Sequence, residues 1–392
     1  MKSAHLPAKM LCGYWLIAVF LIATPNLGFF QLTGSTRRAS NSTGDDFLRG
    51  TSFTAFSEYA FHSAFSNQSL QQFKDDGGEW VALCFWWFVD NLTATNIHPD
   101  FDEYSCRNET LRLAIARARE LGLKMMLKPM IDPVTGDWRA YIEPSEAWFN
   151  AYDRFIVSWA KFAQKFNIEL LCIGCEFSLS ESFDAKWREI IYDVREVYTG
   201  NLTYAANYDS YDKITWWDAV DYIGIDAYFS LTEDNSPLLE DLIARWSTIK
   251  QTLKEYASAQ HRAIIFTEVG YRSINGCNRE PWNWQRDARV DLDEQAMCYE
   301  ALLRSLWGEN WLHGIFWWDW TPYNSTNWLK DKGYTCQFKP AEAVLRAWYS
   351  VPFSVTPDFS TVYDQVGFTW IGVVSLFVIA LEIIALRRKL KR

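Results

Sequence analysis

Histidine is nearly absent. His5, His62, His98, His261 and His313 are the five in 392 residues, and none stands in an H-E-x-x-H or i, i+4 arrangement. A histidine-held catalytic zinc therefore has no ligand set, and the lone histidines read as surface or satisfied core residues. There is no G-x-S-x-G elbow, and no histidine sits where a serine or cysteine triad needs one. Phosphate-cradling loops of the type G-x-x-x-x-G-K-[ST] or G-x-G-x-x-G are also missing. Glycine (19) and proline (12) are too few for a linker-rich or fibrous chain. Basic charge is short as well: the formal net charge is −10. Without the seven cations of the two ends and Glu382, 31 Lys+Arg face 47 Asp+Glu, a charge of −16. Such a surface excludes nucleic acid as a partner.

What is present is apolar and aromatic. Hydrophobic residues make up 49% and charged residues 22%, enough for a large core and against wholesale disorder. The aromatic share is 17%, with 21 Trp, 19 Tyr and 26 Phe. Aromatic faces serve as core and also hold sugar rings or membrane interfaces.

The ends point to the secretory route. Residues 1–30 carry Lys2 and Lys9, then the apolar run 10–24 and Pro25. This is a charged segment followed by a hydrophobic one too short to span comfortably, and both a cleaved signal peptide and an uncleaved anchor remain open. Residues 31–47 form a Ser/Thr-rich stalk, and 351–365 a linker. Residues 366–386 are apolar except for Glu382, and the tail 387–392 has five cations in six positions. Roughly twenty apolar residues cross a bilayer, and the basic tail places that end in the cytoplasm. The expectation is a membrane protein held in the lipid bilayer by a C-terminal helix, its middle extracellular or lumenal. Six N-x-S/T sequons, at Asn41, Asn67, Asn91, Asn108, Asn201 and Asn324, fit a glycosylated ectodomain. Cys84, Cys172 and Cys175 lie in apolar runs and read as buried small hydrophobes. Cys106, Cys277, Cys298 and Cys336 lie in loop or helix contexts where one or two bridges could form. Cys172-x-x-Cys175 has redox or zinc spacing, but strand positions three apart face opposite sides.

Between the ends, residues 48–350 have one rhythm. Strand candidates recur at 50–56, 80–88, 124–129, 170–176, 202–207, 222–228, 263–268 and 314–318, several of them continuous apolar runs. Helical patterns at 108–121, 145–166, 184–198, 237–259 and 292–307 lie between them, with 67–75 in the first gap and 339–349 after the last strand. Only the fifth-to-sixth connection is short enough to hold a mere turn of helix. The rhythm predicts a single (β/α)8 TIM barrel. A doubly wound open sheet is the rival, and the missing Gly-rich loops exclude it.

In such a barrel the site lies at the C-terminal strand ends. The fourth strand ends at Glu176, the seventh at Glu268 and the sixth at Asp226 and Tyr228; the fifth gives Asn207, the third Lys128 and the second Trp86 and Trp87. The eighth gives Trp317, Trp318, Asp319 and Trp320. A lone glutamate after an apolar strand is commonly a surface or capping carboxylate. Two of them facing across the mouth meet the requirement of retaining glycoside hydrolysis, in which one protonates the leaving oxygen and the other attacks the anomeric carbon. The acid needs a raised pKa, from apolar surroundings and the neighbouring charge. Tyr228 can hydrogen-bond the nucleophile. Trp87 and Trp318 are placed with the substrate, the eighth-strand indoles as a floor for a pyranose ring. Asp226 is read as orienting its neighbours.

These residues match a known pattern. RGTSFTAFSEYAF (49–61), LKPMIDPVTGDWRAYIEP (127–144), CIGCEF, TYAANYD, DYIGIDAYFSL, FTEVGYRS and GIFWWDW resemble glycoside hydrolase family 113, over about 300 residues. The resemblance implies hydrolysis of β-1,4-mannan or a related β-glycan polysaccharide or oligosaccharide by Glu176 as acid/base and Glu268 as nucleophile. It also implies Tyr228, Asn207, Lys128, Trp138 and Arg139 as subsite residues, and no metal or organic cofactor. One position departs: many members of the clan carry Asn before the acid/base, on the sugar 2-OH, where this chain has Cys175. The contact then falls to Asn207, or the sugar differs. The rival readings are a β-glycosidase of other sugar specificity and a non-catalytic glycan-binding or adhesion receptor on the same barrel.

Overall fold

The continuous apolar runs fold as strands covered on both faces. A computed structural model describes residues 47–355. Its strands are β1 (Leu48–Ala55), β2 (Trp80–Val89), β3 (Lys124–Pro133), β4 (Leu170–Cys175), β5 (Asn201–Asn207), β6 (Tyr222–Asp226), β7 (Ile264–Val269) and β8 (Leu312–Trp320). All pair in parallel and in chain order, and β8 pairs back onto β1 to close the barrel. The helices are α1 (Ala64–Asp75), α2 (Asn108–Glu120), α3 (Glu146–Lys165), α4 (Asp184–Arg195), α5 (Leu239–Gln260), α6 (Leu292–Leu306) and α7 (Pro340–Tyr349). The short connection from β5 to β6 holds only two 3-10 turns, Tyr211–Lys213 and Trp217–Ala219. The expected (β/α)8 barrel is the fold. β3 runs four residues past its expected end because its ladder with β2 continues to Val89↔Pro133.

Strand parity divides the core in two. Trp80, Ala82, Cys84, Trp86 and Phe88 of β2, with Met126 and Met130 of β3, fill the barrel interior with Leu170, Ala205, Ile265 and Phe316. The alternate residues Val81, Leu83, Phe85, Met125 and Leu127 pack outward against the helices. Most indoles are structural: Trp148, Trp187, Trp216, Trp217, Trp246, Trp317, Trp320 and Trp348 are among the largest fully buried side chains.

Two cysteine expectations change. All seven described cysteines are free thiols, so no bridge joins Cys106, Cys277, Cys298 or Cys336. Cys172 and Cys175 both face the barrel interior, because the β4–β5 register shifts between them and breaks the alternation. No described helix is long and apolar enough to cross a membrane, and the two apolar terminal stretches lie outside the described residues.

Candidate active site

The turn that presents Glu176 is forced. Strand β4 ends at Cys175, and Glu176 takes φ 54°, a left-handed conformation unusual for a residue with a side chain. Two hydrogen bonds hold it there: Glu176 N–H donates to Ala205 O (2.8 Å) and Phe177 N–H to the Tyr204 hydroxyl oxygen (2.8 Å). Tyr204 in turn donates to Glu181 Oε1 (2.9 Å), and its ring packs edge-on against Trp187 and Trp216. The aromatic wall thus over-determines a backbone that is costly in isolation. Glu176 stays partly open to the mouth and accepts one hydrogen bond, from Trp138 Nε1 (3.2 Å).

Glu268 is held quite differently. It lies in β7, 5% exposed, with Lys128 Nζ at 2.5 Å from Oε1 and the Tyr228 hydroxyl donating to Oε2 at 2.7 Å. Lys128 also reaches Asp226 Oδ1 (3.3 Å), which accepts from the Thr267 hydroxyl (2.7 Å). Gly270 follows β7 because the Trp318 carbonyl passes so close that a Cβ would lie 2.0 Å from it.

The proton states follow from these surroundings. Burial, then the Asp226 charge, pushes the Glu176 carboxyl up to about 8, although the Arg139 guanidinium opposes this. Burial and Asp226 also raise Glu268, against the Lys128 ammonium and the Tyr228 hydroxyl. Burial disfavours the Lys128 ammonium, but Asp226 and then Glu268 outweigh it and hold it charged. One carboxyl grips a cation and a phenol, the other only an indole N–H. A single proton shared between them belongs on Glu176.

The remaining predicted residues divide. Asn207 ends β5 and accepts from Tyr208 N–H through Oδ1 (2.9 Å). Trp138 and Arg139 come from the segment after β3, where Arg139 pairs with both Asp132 oxygens (2.7 and 3.0 Å) and donates to Cys175 Sγ (3.1 Å). Trp318 meets Trp86 edge-on (6.3 Å), and Trp86 stacks on Phe56 (4.4 Å). Two placements differ from expectation. Lys128 is fully buried in the floor beneath the Glu268 carboxylate instead of lining the mouth. Trp87 packs outward on Phe155 and Trp159 of α3, one residue out of phase with the inward-facing Trp86. Phe56 and Tyr334, whose ring lies 6.2 Å from Tyr228, join the mouth without a distinguishing sequence signal. Cys175, Asp226 and Glu268 lie within metal-binding reach of one another, but the Lys128 ammonium already occupies that corner, paired with both carboxylates.

The profile described as Glycoside Hydrolase Family 113 matches residues 52–339. The chain belongs to glycoside hydrolase family 113. A solved GH113 β-1,4-mannanase superposes with a TM-score of 0.71 at 27% identity, covering 78% of this chain and 99% of that one. The GH113 β-mannanase of Alicyclobacillus acidocaldarius, solved with ManMIm, gives 0.71 at 29%, covering 79% and 99%. A β-D-glucuronidase for Dictyoglomus thermophilum gives 0.54 at 14%, covering 78% of this chain and 51% of that one, a likeness of fold alone. No curated protein sequence matches. This family 113 chain is therefore a glycoside hydrolase of mannanase-like build.

Proposed function

We propose that this enzyme cleaves β-1,4-mannan-like glycans with retention, Glu268 as nucleophile and Glu176 as acid/base. The observation that carries it is the unequal grip on two neighbouring carboxyls, one held against a cation and a phenol, the other pushed up to about 8. Glu268 attacks the anomeric carbon while Glu176 gives its proton to the leaving oxygen, leaving an α-linked glycosyl-enzyme. Glu176, now ionised, takes a proton from water, which attacks the same carbon and restores the β configuration. Tyr228 and Lys128 keep Glu268 ionised and aimed. The likeness to the solved β-mannanases supports mannan as the sugar. The test is β-1,4-mannan hydrolysis by the full-length protein and its Glu268→Ala variant. Wild type releases oligosaccharides, the variant does not, and azide restores turnover as the α-glycosyl azide. Full activity without Glu268 would overturn the assignment.

We also read the enzyme as membrane-anchored, with its barrel extracellular or lumenal and its basic tail cytoplasmic. The apolar residues 366–386 and the tail 387–392 support this, as does the exposure of Asn67, Asn91, Asn108, Asn201 and Asn324 at the sequons. Retention in the membrane pellet after carbonate extraction, lost on deletion from residue 366, tests it.

A further inference from the structure

Among the described residues three indoles are markedly exposed: Trp138 at 40%, Trp282 at 45% and Trp284 at 67%. All three lie in segments that leave the C-terminal ends of strands, Trp138 after β3 and the other two after β7. In a closed ring of eight strands in chain order, β3 and β7 stand opposite each other. The segment carrying Trp282 and Trp284, residues 270–291, is a built arm. At its root the buried Asn278 donates to Asp234 O (2.9 Å) and Glu294 Oε1 (2.8 Å) and accepts from the Thr232 hydroxyl (2.8 Å). Glu294 also accepts from Gly276 N–H (2.6 Å), and Arg286 donates to Gly276 O (2.8 Å). Near its tip Pro281 O accepts from the Tyr334 hydroxyl (2.7 Å), and the Tyr334 ring lies edge-on to Tyr228, which holds Glu268. Two residues separate this anchored carbonyl from Trp284. An arm fixed at both root and tip cannot fold its indoles away, and leaving them in water is costly.

We infer that Trp282 and Trp284 form a distal binding platform for a neutral β-linked glycan chain, opposite Trp138, so that a polymer lies across the mouth with both of its ends free. This rests on the glycosidase reading above and adds the residues that hold the polymer away from the point of cleavage. Indole faces suit the C–H faces of pyranose rings. Neutrality follows from the floor: Lys128 is paired with Asp226 and Glu268, and Arg139 with Asp132. Both cations closest to the carboxyl pair are already neutralised, which leaves them poor partners for a uronate.

The test compares full-length wild type with the W282A/W284A variant, whose exposed positions leave folding intact, as checked by circular dichroism. Affinity electrophoresis in gels containing β-1,4-mannan reads binding, and kcat/KM is measured on mannan and on an aryl β-mannobioside. The platform predicts that retardation weakens by about tenfold in the variant. KM on the polymer rises comparably, and the short substrate is turned over within about twofold of wild type. Equal retardation of variant and wild type, or equal losses on polymer and short substrate, would overturn it. Retardation that depends on the two indoles without hydrolysis by wild type would sink the catalytic reading and leave the platform standing. Equal competition by a polyuronate would overturn the charge class.

Discussion

Lys128→Met removes the cation beneath Glu268, the proposed nucleophile, while keeping a side chain of similar length. Nζ stands 2.5 Å from Glu268 and 3.3 Å from Asp226, and Lys128 and Asp226 are fully buried. Deleting one partner of a buried ionic cluster costs about 3–5 kcal/mol, because the remaining charges are left uncompensated. If about 3 kcal/mol of that falls on the ionisation of Glu268, its pKa rises by about two units, at 1.36 kcal/mol per unit. The nucleophile must be ionised, so its pKa sets the acid limb of the kcat/KM profile. A raised pKa moves that limb to higher pH and leaves the alkaline limb in place. On the acid side of the optimum the loss is therefore about 10²-fold. The assay is kcat/KM against pH on an aryl β-mannobioside, with thermal unfolding alongside. Adding Asp226→Asn to Lys128→Met removes a second carboxylate from the corner and should bring the limb part-way back. A Lys128→Met enzyme whose acid limb stays within about 0.3 unit of wild type would refute the assignment of Lys128 as the group that holds the nucleophile charged.

Four further substitutions separate chemistry from packing. Glu176 loses its proton as pH rises through about 8, so the alkaline limb should lie there in wild type. Glu176→Gln should abolish that limb and cut mannan turnover by about 10²–10⁴-fold, with milder loss on aryl glycosides that leave without protonation; an unchanged limb would remove Glu176 from the acid role. Asp76, beside Glu342 and Arg346, is pushed up to about 8 by burial and then by the Glu342 charge. The unfolded chain releases that proton near the ordinary carboxyl value, so stability falls as pH rises from about 4 to 8. Asp76→Asn should match wild type near pH 4 and melt on the order of 3 °C higher near pH 8, and parallel curves would count against it. Trp87→Leu should cost about 1–2 kcal/mol in denaturant unfolding with kcat/KM unchanged, whereas Trp86→Leu should depress kcat/KM. A selective activity loss in the Trp87 variant would reverse their assigned faces.

The barrel was legible because its strands are written as apolar runs, and eight such runs alternating with helical periods leave few alternatives. Glu176 and Glu268 were legible because each ends a run that such a barrel aims at one face. Parity was harder. WVALCFWWFV has aromatic residues at both phases near its end, so composition does not separate the inward Trp86 from the outward Trp87; the register against β3 does. The irregularity between Cys172 and Cys175 is invisible in sequence, since it arises from pairing with β5. The burial of Lys128 was equally hidden. A lysine in an apolar strand is tolerable only with carboxylates against it, and those come from Asp226 and Glu268, 98 and 140 residues away. The high tryptophan count, open to two meanings in sequence, is mostly core once the wall of Trp148, Trp187 and Trp216 behind β4 and β5 is seen.

Cys175 bears on how the sugar is read. Its sulfur accepts from Arg139 (3.1 Å) and donates to Asp226 Oδ2 (3.4 Å), and burial holds the thiol protonated. The floor thus runs unbroken from Asp132 through Arg139, Cys175, Asp226 and Lys128 to Glu268. A thiol engaged on both sides has no proton left for a 2-hydroxyl. Asn207 ends β5 with its Oδ1 accepting from Tyr208 N–H and its amide N–H groups uncommitted to any described residue. On the proposed mannanase reading, the 2-OH contact falls to Asn207. Asn207→Ala should lower kcat/KM about 10²-fold on an aryl β-mannobioside and hardly at all on its 2-deoxy counterpart, since that substrate never made the contact. Cys175→Ala loosens Arg139 and Asp226 and should lower both substrates by the same factor. If Cys175→Ala spares the 2-deoxy substrate and Asn207→Ala does not, the thiol reaches the sugar and the closed floor is wrong.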